Sequence, residues 1–201
     1  MRERAKSQEQ TRQRIVEATM QLHEELGPRN TTITEIAKRA GVQRLTVYSH
    51  FPDETAVFQA CTSHWLSLNP PPDPASWAAI DDPVLRFRAA ISAFYGYFTG
   101  TRRMWVVSFR DVAEVPALQQ PMAGVASFLK GIATDLAASF PDRTDEIPVT
   151  IQHALHFLTW LELEDQGLSN PGKVDLVTLW LSGCRERPPP SAQVRHRKTA
   201  P

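Results

Sequence analysis

Residues Thr32–Phe51 read TITEIAKRAGVQRLTVYSHF. Thr32 can accept the Glu35 amide and Glu35 can reach back to the Thr32 amide, the reciprocal capping box that opens a helix. Ile33, Ile36, Ala37 and Ala40 then fall on one helical face. Gly41 supplies the turn, because glycine takes a left-handed backbone without strain. Val42, Val47 and Phe51 anchor a second short helix. Its remaining side chains, Gln43, Arg44, Leu45, Thr46, Ser49 and His50, face outward and are too polar for a core. Two short helices with this turn form the layout of a helix-turn-helix, whose second helix enters the DNA major groove.

The same periodicity extends outward. Ile15, Ala18, Thr19, Leu22 and Leu26 predict a first helix over about residues 8 to 26, stopped by Gly27-Pro28. Pro52 ends the candidate recognition helix and opens a fourth helix over about 53 to 68, with Asp53 and Glu54 where the helix dipole favours acids. Asn69–Pro74 holds four prolines and cannot be helix interior. Further helices are predicted at about 82–100, 102–110, 115–139, 144–167 and 171–185, with Pro116, Pro148 and Pro171 at or just inside three starts. Strand-like alternation is lacking, so the fold class is all-α: an N-terminal helix-turn-helix head and a larger helical bundle. The expected division is a head over 1–68, a body over 75–186 and a basic, Pro-containing, disordered tail over 187–201.

The chain has 201 residues, 42% hydrophobic and 22% charged, enough to bury a core. Its net charge is zero, but unevenly distributed. Residues 1–52 carry nine Lys/Arg against six Asp/Glu, residues 53–184 eight against fifteen, and residues 185–201 five against one. A basic head suits a phosphate surface; an acidic body suits neither DNA nor a membrane. The N-terminal stretch is charged throughout, which predicts no signal peptide, and no apolar run reaches the ~18 residues of a membrane span. A cytoplasmic protein is expected. Cys61 and Cys184 are far apart and lack metal-ligand spacing.

The segment Thr31–Phe58, TTITEIAKRAGVQRLTVYSHFPDETAVF, resembles the DNA-binding head of TetR-type transcriptional regulators. The I-A-x-x-A-G-V core, the T-V-Y-x-H-F helix and the proline directly after it carry the resemblance. It implies a three-helix head braced by a fourth helix, and a body that binds a small molecule and dimerises. It also implies two recognition helices set in successive major grooves of a palindromic operator, and repression relieved by an effector. Two positions depart from the pattern. Glu54 stands where family members often carry a phosphate-binding lysine, and Leu45 replaces a commonly small residue.

Within that head the residue chemistry assigns roles. Arg44 suits a bidentate pair to guanine and Gln43 one to adenine, while Leu45 or the Thr46 methyl suits a thymine methyl. Tyr48 suits a phosphate, and Thr32 and Thr34 sit at a helix N-terminus that favours one. Ser49 and His50 complete the expected DNA-facing set. Read singly, Thr32, Gln43 and Ser49 are ordinary capping or solvated residues. Arg2, Arg4, Lys6, Arg12 and Arg14 could add a basic arm or a plain frayed terminus.

In the body, Phe87, Ile91, Phe94 and Phe98 run at helical spacing, which by default means core. An effector pocket drawn from the aromatic and Met residues would use Phe94, Tyr97, Phe98, Trp105, Phe109, Met122, Phe128, His156 and Trp160, with Met104 a further candidate. Such a lining favours an apolar or aromatic ligand. Ile151, Leu155, Leu158 and Leu161, then Val174, Val177 and Leu181 widened by Leu176, Leu179 and Trp180, leave the last two helices apolar on more than one side, which predicts a homodimer.

No catalytic constellation, cofactor loop or metal cluster stands out, and an enzyme is not expected. Other readings are an activator or ligand-independent regulator of the same family, a redox sensor at Cys61 or Cys184, and a helical protein with a vestigial head.

Overall fold

The computed structural model describes residues 2–141 and 144–185, and these are helices joined by short turns with no strand among them. The expected basic tail over 187–201 lies outside the described residues. Helix α1 spans Arg2–Leu26, beginning well before residue 8. The pattern could not place that start because α1 is exposed over residues 3–10 and is first fully buried at Ile15. A single 3-10 turn, Pro28–Asn30, leads to α2 (Ile33–Ala40), α3 (Arg44–His50) and α4 (Glu54–Leu68). Ile15, Val16 and Leu22 of α1 pack with Ile36 and Ala37 of α2, Val47 of α3, Phe51 and Val57 into one core. The Arg12 guanidinium lies 4.6 Å above the Phe51 ring, so Arg12 is committed to the head rather than to a free arm.

The body begins directly after the prolines. A short helix α5 (Ala75–Ala78), absent from the sequence reading, inserts Trp77, which is 1% exposed. Helix α6 (Pro83–Asp111) is continuous where a break was predicted near Gly100. A mid-helix glycine is worth only about 1 kcal/mol. The buried face of α6, from Phe94 and Phe98 on to Trp105, carries on past it. Then follow α7 (Pro116–Ala138), α8 (Glu146–Ala154), α9 (Phe157–Asp165) and α10 (Asn170–Arg185).

The helix expected over 144–167 is broken between α8 and α9. His156 takes an extended backbone there and its imidazole accepts the Leu158 amide at 3.3 Å. Tyr95 of α6 donates its hydroxyl to the Ala154 carbonyl at 3.0 Å, satisfying a helix end that no local residue caps. Asn170 then ties three helices together. Its amide donates to Tyr95 O and Thr99 Oγ1, and its carbonyl accepts from Trp160 Nε1 and Lys173 Nζ. Lys173 is fully buried, paired with Glu164 and set over the Trp160 ring.

Head and body meet where the end of α1 abuts the end of α6. Asp111 is 2% exposed and accepts the Arg29 amide at 3.1 Å, while Arg110 donates to both Asp111 and the Leu26 carbonyl. Gly27 has φ 87° and ψ 155°, and a Cβ there would stand 1.9 Å from the Arg110 guanidinium and 2.5 Å from the Asp111 carboxylate. Gly27→Ala therefore adds backbone strain and a clash at once. It should lower stability by about 1–3 kcal/mol in urea unfolding, and an unchanged midpoint would refute the account.

Candidate nucleic-acid interface and junction cavity

The helix-turn-helix follows from its local sequence. Thr32 Oγ1 accepts the Glu35 amide at 3.2 Å, which starts α2. Gly41 closes α2 in the left-handed region at φ 67°, its amide shared between Ala37 O and Lys38 O, and Val42 N returns to Ala37 O at 3.0 Å. Chain direction thus changes within a few residues. Val47, fully buried, pins α3 to the head core.

That anchoring decides what α3 presents. Gln43, Arg44, Leu45, Tyr48 and Ser49 are exposed on its outer side, and Thr46 and His50 are half-buried at its edges. Thr32 and Thr34 are exposed at the start of α2. Leu45 is 78% exposed, an apolar side chain held in water on a rigid helix. Ser49 Oγ is turned back to the Thr46 carbonyl at 2.8 Å, which uses its hydrogen. Asp53 caps α4 by accepting the Ala56 amide, and Glu54 follows it, so this edge of the head is acidic.

Behind the head lies a cavity of about 280 Å³. It draws on α1 and α4 of the head side and on α6 and α7 of the body. Phe94, Tyr97, Phe98, Trp105, Met122 and Phe128 of the expected effector residues line it, as does Met104. Phe109, His156 and Trp160 do not. Phe109 stacks on Phe157 at 5.4 Å and meets His156 at the same distance, and Trp160 is fully buried behind Phe98. His156 instead borders a shallow hollow with Val149, His153 and Trp180.

The sequence reading missed the cavity's head-side wall: His23, Cys61 and Trp65. On their own helices they look like core residues. Only the packing of α1 and α4 against α6 and α7 exposes them to a shared space. Trp65 meets Trp105 edge-on at 5.7 Å. His23 packs on Phe58 at 4.4 Å, and its Nδ1 stands 3.6 Å from Cys61 Sγ. Burial depresses the His23 pKa to about 4, against a smaller opposing pull from Asp111. Burial also pushes the Cys61 thiol up to about 12, so it stays protonated and unreactive, which removes the basis for redox sensing at this residue. The Cys184 thiol donates to the Trp180 carbonyl. Among the described residues, no three His, Cys, Asp or Glu side chains gather as a metal site. No helix there is long and apolar enough to cross a membrane.

An all-helical chain whose head presents α3 in this way is a helix-turn-helix protein built on a helical bundle. Residues 15–61 match the family model described as bacterial regulatory proteins, tetR family. Over these residues the chain is similar to the DNA-binding head of that family. The HTH-type transcriptional regulator SrpR of Pseudomonas putida is 38% identical over 85 residues, which cover 39% of this chain and 40% of that protein. The uncharacterized HTH-type transcriptional regulator TtgW, also of Pseudomonas putida, is 36% identical over 85 residues, or 39% of this chain and 63% of that one. The chain thus spans less than two thirds of the length of either relative.

Solved structures extend the likeness to the body, as fold alone. A TetR-like transcriptional regulator from Rhodococcus sp. RHA1 superposes with a TM-score of 0.64 at 14% identity, over 88% of this chain and 97% of that one. A putative fatty acid metabolism regulator of Clostridium perfringens gives 0.62 at 17%, over 84% and 96%.

The His23 shift has a defined sign. Between pH 6.5 and about 4 the unfolded chain binds a proton at His23 and the folded chain does not. Stability is therefore lost as pH falls through that window, by at most about 1.4 kcal/mol per pH unit. His156 is depressed by burial in the same sense, so the comparison must be with a His23→Leu variant. The stability difference between native protein and variant should shift in the variant's favour as pH drops from 6.5 to 4. Parallel curves would refute the assignment.

Proposed function

We propose that the protein is a DNA-binding transcriptional regulator: a homodimeric repressor that leaves a palindromic operator when a small apolar or aromatic molecule fills the junction cavity. The observation that carries the DNA reading is α3. It is pinned by Val47 yet presents Arg44, Gln43, Leu45 and Tyr48 to solvent. Arg44 pairs with guanine, Gln43 with adenine, and Leu45 and the Thr46 methyl meet thymine methyls. Tyr48, Thr32, Thr34 and His50 position the helix on the backbone, and Ser49 joins them once its hydroxyl turns from the Thr46 carbonyl. The similarity of residues 15–61 to the tetR family model supports the same role, and the names of the Pseudomonas relatives agree with it.

Effector control is supported by where the cavity lies. His23, Cys61 and Trp65 belong to helices that also build the head, so filling the cavity bears on the seating of α3. Dimerisation is supported by exposed apolar groups on the last helices. Val149 and Leu179 are each 67% exposed, and Leu158 46%. Val149 and Leu158 line the hollow edged by His153 and Trp180, a face suited to a second copy of itself.

Selection of bound duplexes from a random pool tests the DNA reading. A palindrome with half-sites about one helical turn apart, or slightly more, is expected. Arg44→Ala should relax one base position, at about 1–3 kcal/mol, and Tyr48→Phe should weaken all sequences alike. Failure to enrich any sequence at low salt would overturn it. For the dimer, sedimentation at micromolar concentration should give twice the chain mass, and Leu179→Glu with Val149→Glu should return it to the single-chain mass. A native monomer would remove both the dimer and the palindrome.

A further inference from the structure

The α8–α9 corner places two histidines in the hollow that a second copy of the chain would cover. His153 is exposed on α8, and His156 is half-buried where α8 gives way to α9. Val149, Leu158 and Trp180 give the hollow its apolar wall, and Glu162 is the one acid of its lining. His156 also has a structural task. Its Nδ1 accepts the Leu158 amide at 3.3 Å, so a ring lone pair caps the start of α9. The neutral ring then carries its hydrogen on Nε2. Protonation adds a hydrogen to Nδ1, and an imidazolium cannot accept the amide. It also sets a positive charge against the helix dipole. The turn that loses its cap carries Leu158, one of the apolar side chains of the hollow.

The groups packed around His156 do little to welcome a charge. Burial, and after it the repulsion of His153 on α8, holds the His156 pKa below its ordinary value of 6.5. Helix α6 presents the Phe109 ring, edge-on at 5.4 Å. The α6 charges nearby are engaged elsewhere, Arg102 with Asp165 and Arg110 with Asp111. Helix α10 presents Trp180, 6.0 Å from His153, while its Lys173 pairs with Glu164 and its Asp175 with Arg88. On α9, Glu162 Oε1 already accepts Gln166 Nε2 at 3.3 Å.

A two-fold contact uses the same patch on both chains. A second copy seated on this hollow therefore brings both histidine pairs under one apolar cover and takes water from them, which disfavours their charged form further. Resting on the dimer reading above, we infer that this contact is acid-sensitive: the second copy seats on neutral His153 and His156, and protonation of His156 uncaps α9 and releases it. Dimer strength is full above the His156 titration of the single chain, which lies below pH 6.5, and is lost as pH falls through it.

The test is sedimentation equilibrium of the full chain without DNA from pH 7.5 to 5.0, with far-ultraviolet circular dichroism recording that the helices stay folded. Both His156 rings take up protons when a dimer parts, so its Kd should rise by at least about tenfold over that range. His156→Asn keeps a side-chain oxygen able to cap the Leu158 amide and carries no charge, so most of the rise should vanish. His153→Gln removes the neighbouring charge but leaves the cap, and part of the rise should remain. An independent readout on the native chain is the Leu158 amide resonance, which should move with the same midpoint as the loss of dimer. A native chain that is single at pH 7.5 removes the dimer reading and this inference with it. A dimer whose Kd is unchanged down to pH 5.0 removes this inference alone. An undiminished rise in His156→Asn, or a Leu158 amide indifferent to the titration, would also overturn it.

Discussion

Asp111 sits at the end of the longest helix, buried to 2% exposure, and its carboxylate accepts the backbone amide of Arg29 from the turn that follows α1. Arg110 beside it holds that carboxyl below the usual carboxylate range and reaches across to the Leu26 carbonyl. Glu114 adds an exposed ion pair to Arg29, worth little by itself. Gly27 lets the chain pass within touching distance of these groups. The two cores are thereby held in one relative geometry. The cavity lies between them, walled by α1 and α4 on one side and α6 and α7 on the other.

Much of the head was legible in the sequence because its information is local. Gly41, the Thr32 cap and the spacing of Ile33, Ile36 and Val47 each specify their own few residues of backbone, and the structure places α2 and α3 where those signals put them. The body was less legible because its decisive contacts are distant in sequence. Nothing near Ala154 announces that Tyr95 will take its carbonyl, so the α8–α9 break could not be read. Nothing near Gly100 announces that packing will carry α6 through it. Trp77 lies just past a proline run that reads as linker, and its burial depends on Phe94 across the core, 6.1 Å away.

The candidate site divides in the same way. The outward face of α3 is what remains once the inward residues of one helix are assigned, so single-helix periodicity suffices. The cavity requires four helices. Aromatic content pointed to Phe94, Phe98, Trp105 and Phe128, but it equally pointed to Phe109 and Trp160, which are packing residues of the α6–α9 contact. His23 and Cys61 carried a signal only in retrospect: a histidine and a cysteine on the apolar faces of two helices, meeting at 3.6 Å.

Helix α4 belongs to both cores. Val57 closes the head, while Trp65, two turns on, is counted in the body beside Trp105. This makes the proline segment at 69–74 a poor place to cut the gene. A fragment ending at Leu68 would carry Trp65, Cys61 and His23 into water as one apolar face, and the rest of the chain would lose a wall of its cavity. Chimeras that join this head to a foreign sensor would need a partner shaped to receive Trp65, and so the modularity suggested by the linear order of the sequence is not a property of the folded molecule.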